Sequence, residues 1–109
     1  MVESQLVGSF GRRLRQARRL KGMPQDKLGV AIGLDEGSAS ARMSRYETGV
    51  HEPPYSIAVR LAEVLDIPTA FFYCEDDQLS SLLLIWNQLT EQHRQELLAM
   101  AKAGGATVK

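Results

Sequence analysis

Glycine and proline break this chain at Gly22 to Pro24, Gly33 to Gly37, Gly49 to Pro54, Pro68 and Gly104 to Gly105. Up to Pro68 the stretches between breaks run from eight to about twenty residues, room for short helices and for little else, and a longer one follows over residues 69–103. None of them alternates apolar and polar residues as a half-buried strand would, and several repeat apolar residues every three or four positions. The chain is therefore expected to be all-α, built from short helices and tight connections.

Leu6, Phe10, Leu14 and Ala17 predict a first helix with one apolar stripe, ending near Gly22, with Arg12, Arg15 and Arg19 on a separate basic stripe. After Pro24, Leu28, Ala31 and Ile32 share a face of a short second helix closed by Gly33. Asp35, Glu36, Gly37 and Ser38 read as a turn, followed by a third helix with Ala39, Met43 and Tyr46 on one side and a stop at Gly49. Pro53 and Pro54 suit the entry to a fourth helix over about residues 54 to 66, whose core side is Ala58, Leu61, Ala62 and Leu65.

A brief aromatic segment, Thr69 to Cys74, is expected to make one or two helical turns before an acidic boundary at Glu75 to Asp77. Beyond it, Leu79, Leu82, Leu83 and Trp86 form a stripe that Leu84, Ile85 and Leu89 widen past the need of one core-facing side. Such a helix asks for two burial surfaces. Thr90 is placed to cap a last helix carrying Leu97, Leu98 and Ala101 and fraying at Gly104.

The 109 residues suffice for one compact unit with an appended element, here residues 1–75 followed by a helical extension over 76–109. Hydrophobic residues at 44% and charged residues at 24% place the chain with folded globular proteins rather than disordered ones. Met1 to Phe10 is neither basic nor continuously apolar, and no stretch has the length of a membrane span, so a cytoplasmic protein away from the membrane is expected. Cys74 is the single cysteine, read as a packing residue.

Net charge is zero, which by itself argues against a nucleic-acid partner. The charge is polarised, however. Residues 1–60 hold ten Lys/Arg against six Asp/Glu, whereas residues 61–109 hold three against seven. Phosphate attraction follows the local field, so the N-terminal half is the candidate nucleic-acid face.

Two short helices joined by a turn, with an arginine-striped helix before them and a packing helix after, form the arrangement that presents a recognition helix to DNA. Arg18, Gly22-Met23-Pro24-Gln25, Leu28, Ile32-Gly33, Met43-Ser44-Arg45-Tyr46-Glu47 with Gly49, and Leu61-Ala62 with Leu65 carry a resemblance. Over about residues 10 to 73 the chain resembles the lambda repressor and Cro-like regulators, also called xenobiotic-response-element-type. The resemblance implies a five-helix DNA-binding domain whose third helix enters the major groove of double-stranded DNA. It gives Gln25 a phosphate contact and places Ser40, Ala41 and Arg45 at base edges with Arg42 nearby. It also pairs Arg18 and Glu47 in a structural salt bridge between the first and third helices.

The residues support these roles independently. Ser40, Ala41, Ser44 and Arg45 lie off the Ala39, Met43, Tyr46 stripe. Arg45 offers a fork of donors that matches guanine O6 and N7, and Arg42 offers another. Gln25 begins a helix whose unpaired N–H groups favour an anion. Arg18 and Glu47 each fall beside an apolar stripe, where charges need partners. Arg12, Arg13, Arg15 and Arg19 read as a solvated basic face.

The chain also departs from the family pattern. From Gly33 to Glu47 it is about four residues longer, which either reshapes the turn at Asp35 to Ser38 or lengthens the third helix. Pro24 replaces a hydroxyl N-cap, Gly29 a small alanine and Asp66 a glycine, each at a small expected cost in stability.

No paired-carboxylate or phosphate-loop motif is present, and His51, His93 and Cys74 lie in separate segments, so neither an enzyme, a cofactor nor a metal site is expected. His51 reads as a loop residue, and Trp86 with Phe71, Phe72 and Tyr73 as core or interface. Two readings remain: a transcriptional regulator, expected to be a repressor dimerised through its C-terminal helices, and a helix-turn-helix adaptor for proteins that does not read DNA.

Overall fold

The computed structural model describes residues 8–105. Its elements are α1 (Phe10–Leu20), α2 (Gln25–Ala31), α3 (Glu36–Thr48), α4 (Tyr55–Leu65), a 3-10 segment (Thr69–Tyr73), α5 (Asp77–Trp86) and α6 (Glu91–Ala103), and no strand occurs among the described residues. Leu6, expected on the stripe of the first helix, lies outside them.

One core forms from the stripes. Phe10, Leu14 and Ala17 of α1, Met43 and Tyr46 of α3, Ala58, Leu61, Ala62 and Leu65 of α4, and Phe71 and Phe72 of the 3-10 segment are all buried in a single cluster with Leu28 and Ile32. The Phe10 and Phe72 rings lie 4.8 Å apart at a tilt of 43°, so the 3-10 segment is clamped onto the start of α1. Cys74 is buried, as its packing role requires.

The connection between α2 and α3 differs from the expected turn. Glu36, Gly37 and Ser38 form the first turn of α3, and the reversal falls at Ile32 to Asp35, where Gly33 adopts φ 100°. Gly33 takes this left-handed backbone at no steric cost. Glu36 sits in the first turn of α3, where a carboxylate is favoured by the helix dipole. The extra residues thus lengthen the third helix.

Two assignments on α2 change as well. Ala31 is exposed, because Leu28 and Ile32 alone face the core. Gly29 is a fitted residue rather than a weakened alanine: a Cβ there would stand 2.7 Å from the Ala39 Cβ, so α2 and α3 approach more closely than an alanine would allow.

Asp66 ends α4 in the left-handed region, φ 55° and ψ 51°, the one non-glycine residue at positive φ among those described. A β-carbon in that conformation is strained. Asp66→Gly should raise the unfolding free energy by about 0.5–1 kcal/mol, read as a later denaturant midpoint at unchanged slope.

The extension starts from a capped helix, Asp76 accepting the Leu79 N–H at 2.9 Å, and Thr90 caps α6 by accepting the His93 N–H at 3.1 Å. The core side of α5 is Ser80, Leu83 and Leu84 rather than the Leu79, Leu82, Leu83, Trp86 stripe; Leu79 and Ile85 are exposed. No residue of α6 is buried. Among the described residues, no helix is long and apolar enough to cross a membrane.

Candidate nucleic-acid interface

The two sides of α3 divide sharply. Inward, Ala39, Met43, Tyr46 and Glu47 are buried; outward, Gly37, Ser40, Ala41, Arg42, Arg45 and Thr48 are exposed. Ser44, expected to face outward, is half-buried because it sits at the margin between the two sides. The helix is 13 residues long, about 20 Å at the standard rise. Helical spacing centres its outward side on the small residues Gly37, Ala41 and Thr48, with Arg45 beside them and Arg42 farther along the same flank. A groove-binding helix with small central side chains brings its backbone close to base edges, while flanking arginines supply reach and charge.

Arg42 and Arg45 border a shallow cleft with His51, Glu52 and Pro54. Neither arginine pairs with a carboxylate among the described residues. His51 itself is an exposed loop residue, its N–H bonded to the Arg45 carbonyl at 3.2 Å, which helps hold the end of α3.

What fixes α3 on its inner side is Glu47. Its side chain is fully buried and collects donors from three places. Arg18 of α1 donates through Nε to Oε2 and through Nη2 to Oε1 at 3.1 Å, Arg15 donates to Oε1 at 3.2 Å, and the Gln25 amide at the start of α2 donates to Oε1 at 3.1 Å. Arg18 also donates to the Met23 carbonyl at 2.9 Å, tying in the turn before α2. Burial pushes the Glu47 carboxyl up, but the hydrogen bonds from Arg18, Gln25 and Arg15 outweigh it and hold the group below the ordinary value of 4.5.

At the same place α1 meets the end of α3 backbone to backbone. A Cβ on Gly11 would fall 2.4 Å from the Glu47 carbonyl oxygen, so the close approach requires glycine.

Gln25 is half-buried, and its amide is committed to Glu47 through one N–H. The α2 N-terminus has no side-chain cap, since Pro24 offers none.

The arginines of α1 are not one solvated stripe. Arg12 and Arg19 are exposed and Arg15 partly so, but Arg13 is 2% exposed and points toward the start of α5, away from α3. The signal was in the spacing: Arg13 stands three after Phe10 and four before Ala17, on the apolar stripe itself. Among the described residues no group of three or more His, Cys, Asp or Glu is placed to hold a metal ion.

Comparison with known proteins places this geometry. Residues 9–70 match the family model described as a helix-turn-helix domain. The crystal structure of the transcriptional regulator BswR superposes with a TM-score of 0.82 at 40% sequence identity, covering 86% of this chain and 93% of that one. Uncharacterized HTH-type transcriptional regulators of Sinorhizobium medicae (strain WSM419) and Rhizobium meliloti (strain 1021) are each 30% identical over 63 residues, 58% of this chain. The matched region spans 42% of the length of each of those two relatives.

Proposed function

We propose, on the premise that this chain belongs to the helix-turn-helix family of transcriptional regulators, that it binds double-stranded DNA sequence-specifically as a homodimer, laying α3 in the major groove and acting as a cytoplasmic repressor. The observation that carries this reading is the outward side of α3: exposed, small at its centre, flanked by two arginines that pair with no carboxylate among the described residues, and held from behind by Glu47. Arg45 and Arg42 are the base readers, Ser40, Ala41 and Ser44 line the groove contact, and Gln25 with the uncapped N–H groups of α2 grips a phosphate. Occupying an operator excludes other proteins from it, which makes repression the simplest outcome.

Residues 1–75 serve as the DNA-binding unit and 76–109 as the self-association element. Support for self-association comes from the extension, where Leu79, Ile85 and Leu98 are about half exposed and Met100 is 72% exposed. Apolar groups spread along two helices are costly to leave in water. A two-fold dimer sets its recognition helices about 34 Å apart, one DNA turn, and calls for a palindromic operator.

Sedimentation and DNA titration of the full chain and of a truncation after Asp77 test this reading together. The full chain should sediment as a dimer at micromolar concentration, and the truncation as a monomer that binds the operator about a hundredfold more weakly. A monomeric full chain, with the truncation equally tight on DNA, would sink the dimer.

A further inference from the structure

Arg13 is nearly inaccessible, yet its guanidinium is satisfied almost entirely by the segment that leads into the extension. Nε donates to the Cys74 carbonyl at 2.7 Å, and Nη2 donates to the Glu75 carbonyl at 3.1 Å and to Asp77 Oδ1 at 2.9 Å. Nη1 donates to Gln16 Oε1 at 2.9 Å, and the group lies 5.6 Å from the centre of the Phe71 ring. Arg12 adds a second, longer contact to Asp77 at 3.6 Å. One side chain of α1 therefore grips three points, Cys74, Glu75 and Asp77, across the junction between the DNA-binding unit and α5.

Burying a guanidinium costs desolvation that an apolar side chain of similar length would avoid, so stability alone is a poor reason for an arginine here. What a planar fork of donors provides is a fixed orientation between the groups it joins. The rest of α5 meets the core through Ser80, Leu83 and Leu84, whose contacts are non-directional packing rather than a fork of hydrogen bonds. Toward its end, a groove of about 240 Å³ separates Leu84, Ile85 and Gln88 from Ala17, Leu20 and Lys21 of α1. The helix is held by directional hydrogen bonds at its start and by apolar packing of Leu83 and Leu84, with a groove beside them, toward its end.

We infer that Arg13 is a positioning residue that fixes the angle at which α5 and α6 leave the DNA-binding unit, and so selects the half-site spacing a dimer can bind. This rests on the dimeric reading given above. In a dimer joined through α5 and α6, each DNA-binding unit hangs from the start of its own α5, and rotation there moves α3 along or across the groove. Locking that rotation confines the dimer to one separation of half-sites. Releasing it lets the same dimer reach several.

The test uses the full chain as wild type, Arg13→Met and Asp77→Ala, with duplexes whose two half-sites are moved apart or together in single-base-pair steps. Asp77 is 85% exposed, so its removal weakens the junction with little threat to folding and keeps the test open should Arg13→Met melt early. Wild type should lose about a hundredfold in affinity away from its best spacing. That penalty should shrink to about threefold in Arg13→Met and about tenfold in Asp77→Ala, with dimer mass and affinity for a lone half-site unchanged. A variant that is merely less stable would lose affinity equally at every spacing and keep the wild-type profile. A dimeric wild type with no spacing preference, or variants that keep its profile, overturns the role of Arg13 alone; a monomeric wild type overturns the dimer.

Discussion

Glu47→Ala should lower the unfolding free energy by about 3–5 kcal/mol, a large share of the roughly 5–15 kcal/mol available to a small domain. The variant leaves the Arg18 guanidinium, with 12% of its side chain exposed, without its carboxylate and with the Met23 carbonyl as its remaining hydrogen-bond acceptor. It also frees the Gln25 amide and Arg15, so α1, α2 and α3 lose their common anchor at one stroke. Replacing both members, as in Arg18→Leu with Glu47→Leu, should cost less than Glu47→Ala alone, because no unpaired charge is then left inside. Denaturant titration of the three proteins decides it; a double variant that costs as much as Glu47→Ala, or more, would contradict the unpaired-charge account.

The same carboxylate makes stability depend on pH. Its folded value lies below 4.5, so the stability it adds is fully present above the unfolded value and drains away as pH falls through the lower, folded one. Below about pH 4.5 the wild type should lose stability more steeply than Glu47→Gln, which has no proton to take up there.

Arg42→Ala together with Arg45→Ala should remove sequence preference while leaving the fold intact. Each arginine is exposed and pairs with no carboxylate among the described residues, so truncation takes nothing from the core. A bidentate contact from arginine to guanine is worth about 1–3 kcal/mol of discrimination, so losing two should cost about a hundredfold or more between operator and random DNA. Residual binding should be weak, salt-sensitive and indifferent to sequence. An unchanged thermal melt with lost discrimination is the expected pair of results; a preserved operator preference would move base readout elsewhere on α3.

The all-helical fold was legible because each core stripe is a local pattern: Phe10 with Leu14 and Ala17, or Leu61 with Leu65, declares its face within three turns of chain. What escaped was set by distant partners. The place of Arg13 on the Phe10–Ala17 stripe was local, but its partners, the carbonyls of Cys74 and Glu75, stand 61 and 62 positions away. Gly29 looks like a defect until Ala39 is laid against it. At Asp35 to Ser38, residues suited to turns proved equally suited to the start of a helix, and Gly33 took the reversal. Gln25 combined both cases: its place at the start of α2 was local, whereas its bond to Glu47 depended on how α2 and α3 pack.

The most direct test of the central claim, that the outward side of α3 reads DNA sequence, is selection of bound duplexes from a random pool by the full-length wild type. Enrichment of a two-fold symmetric site, with half-sites about one helical turn apart, is the expected result. Recovery of no preferred sequence would contradict it and turn the exposed face of α3 toward a protein partner.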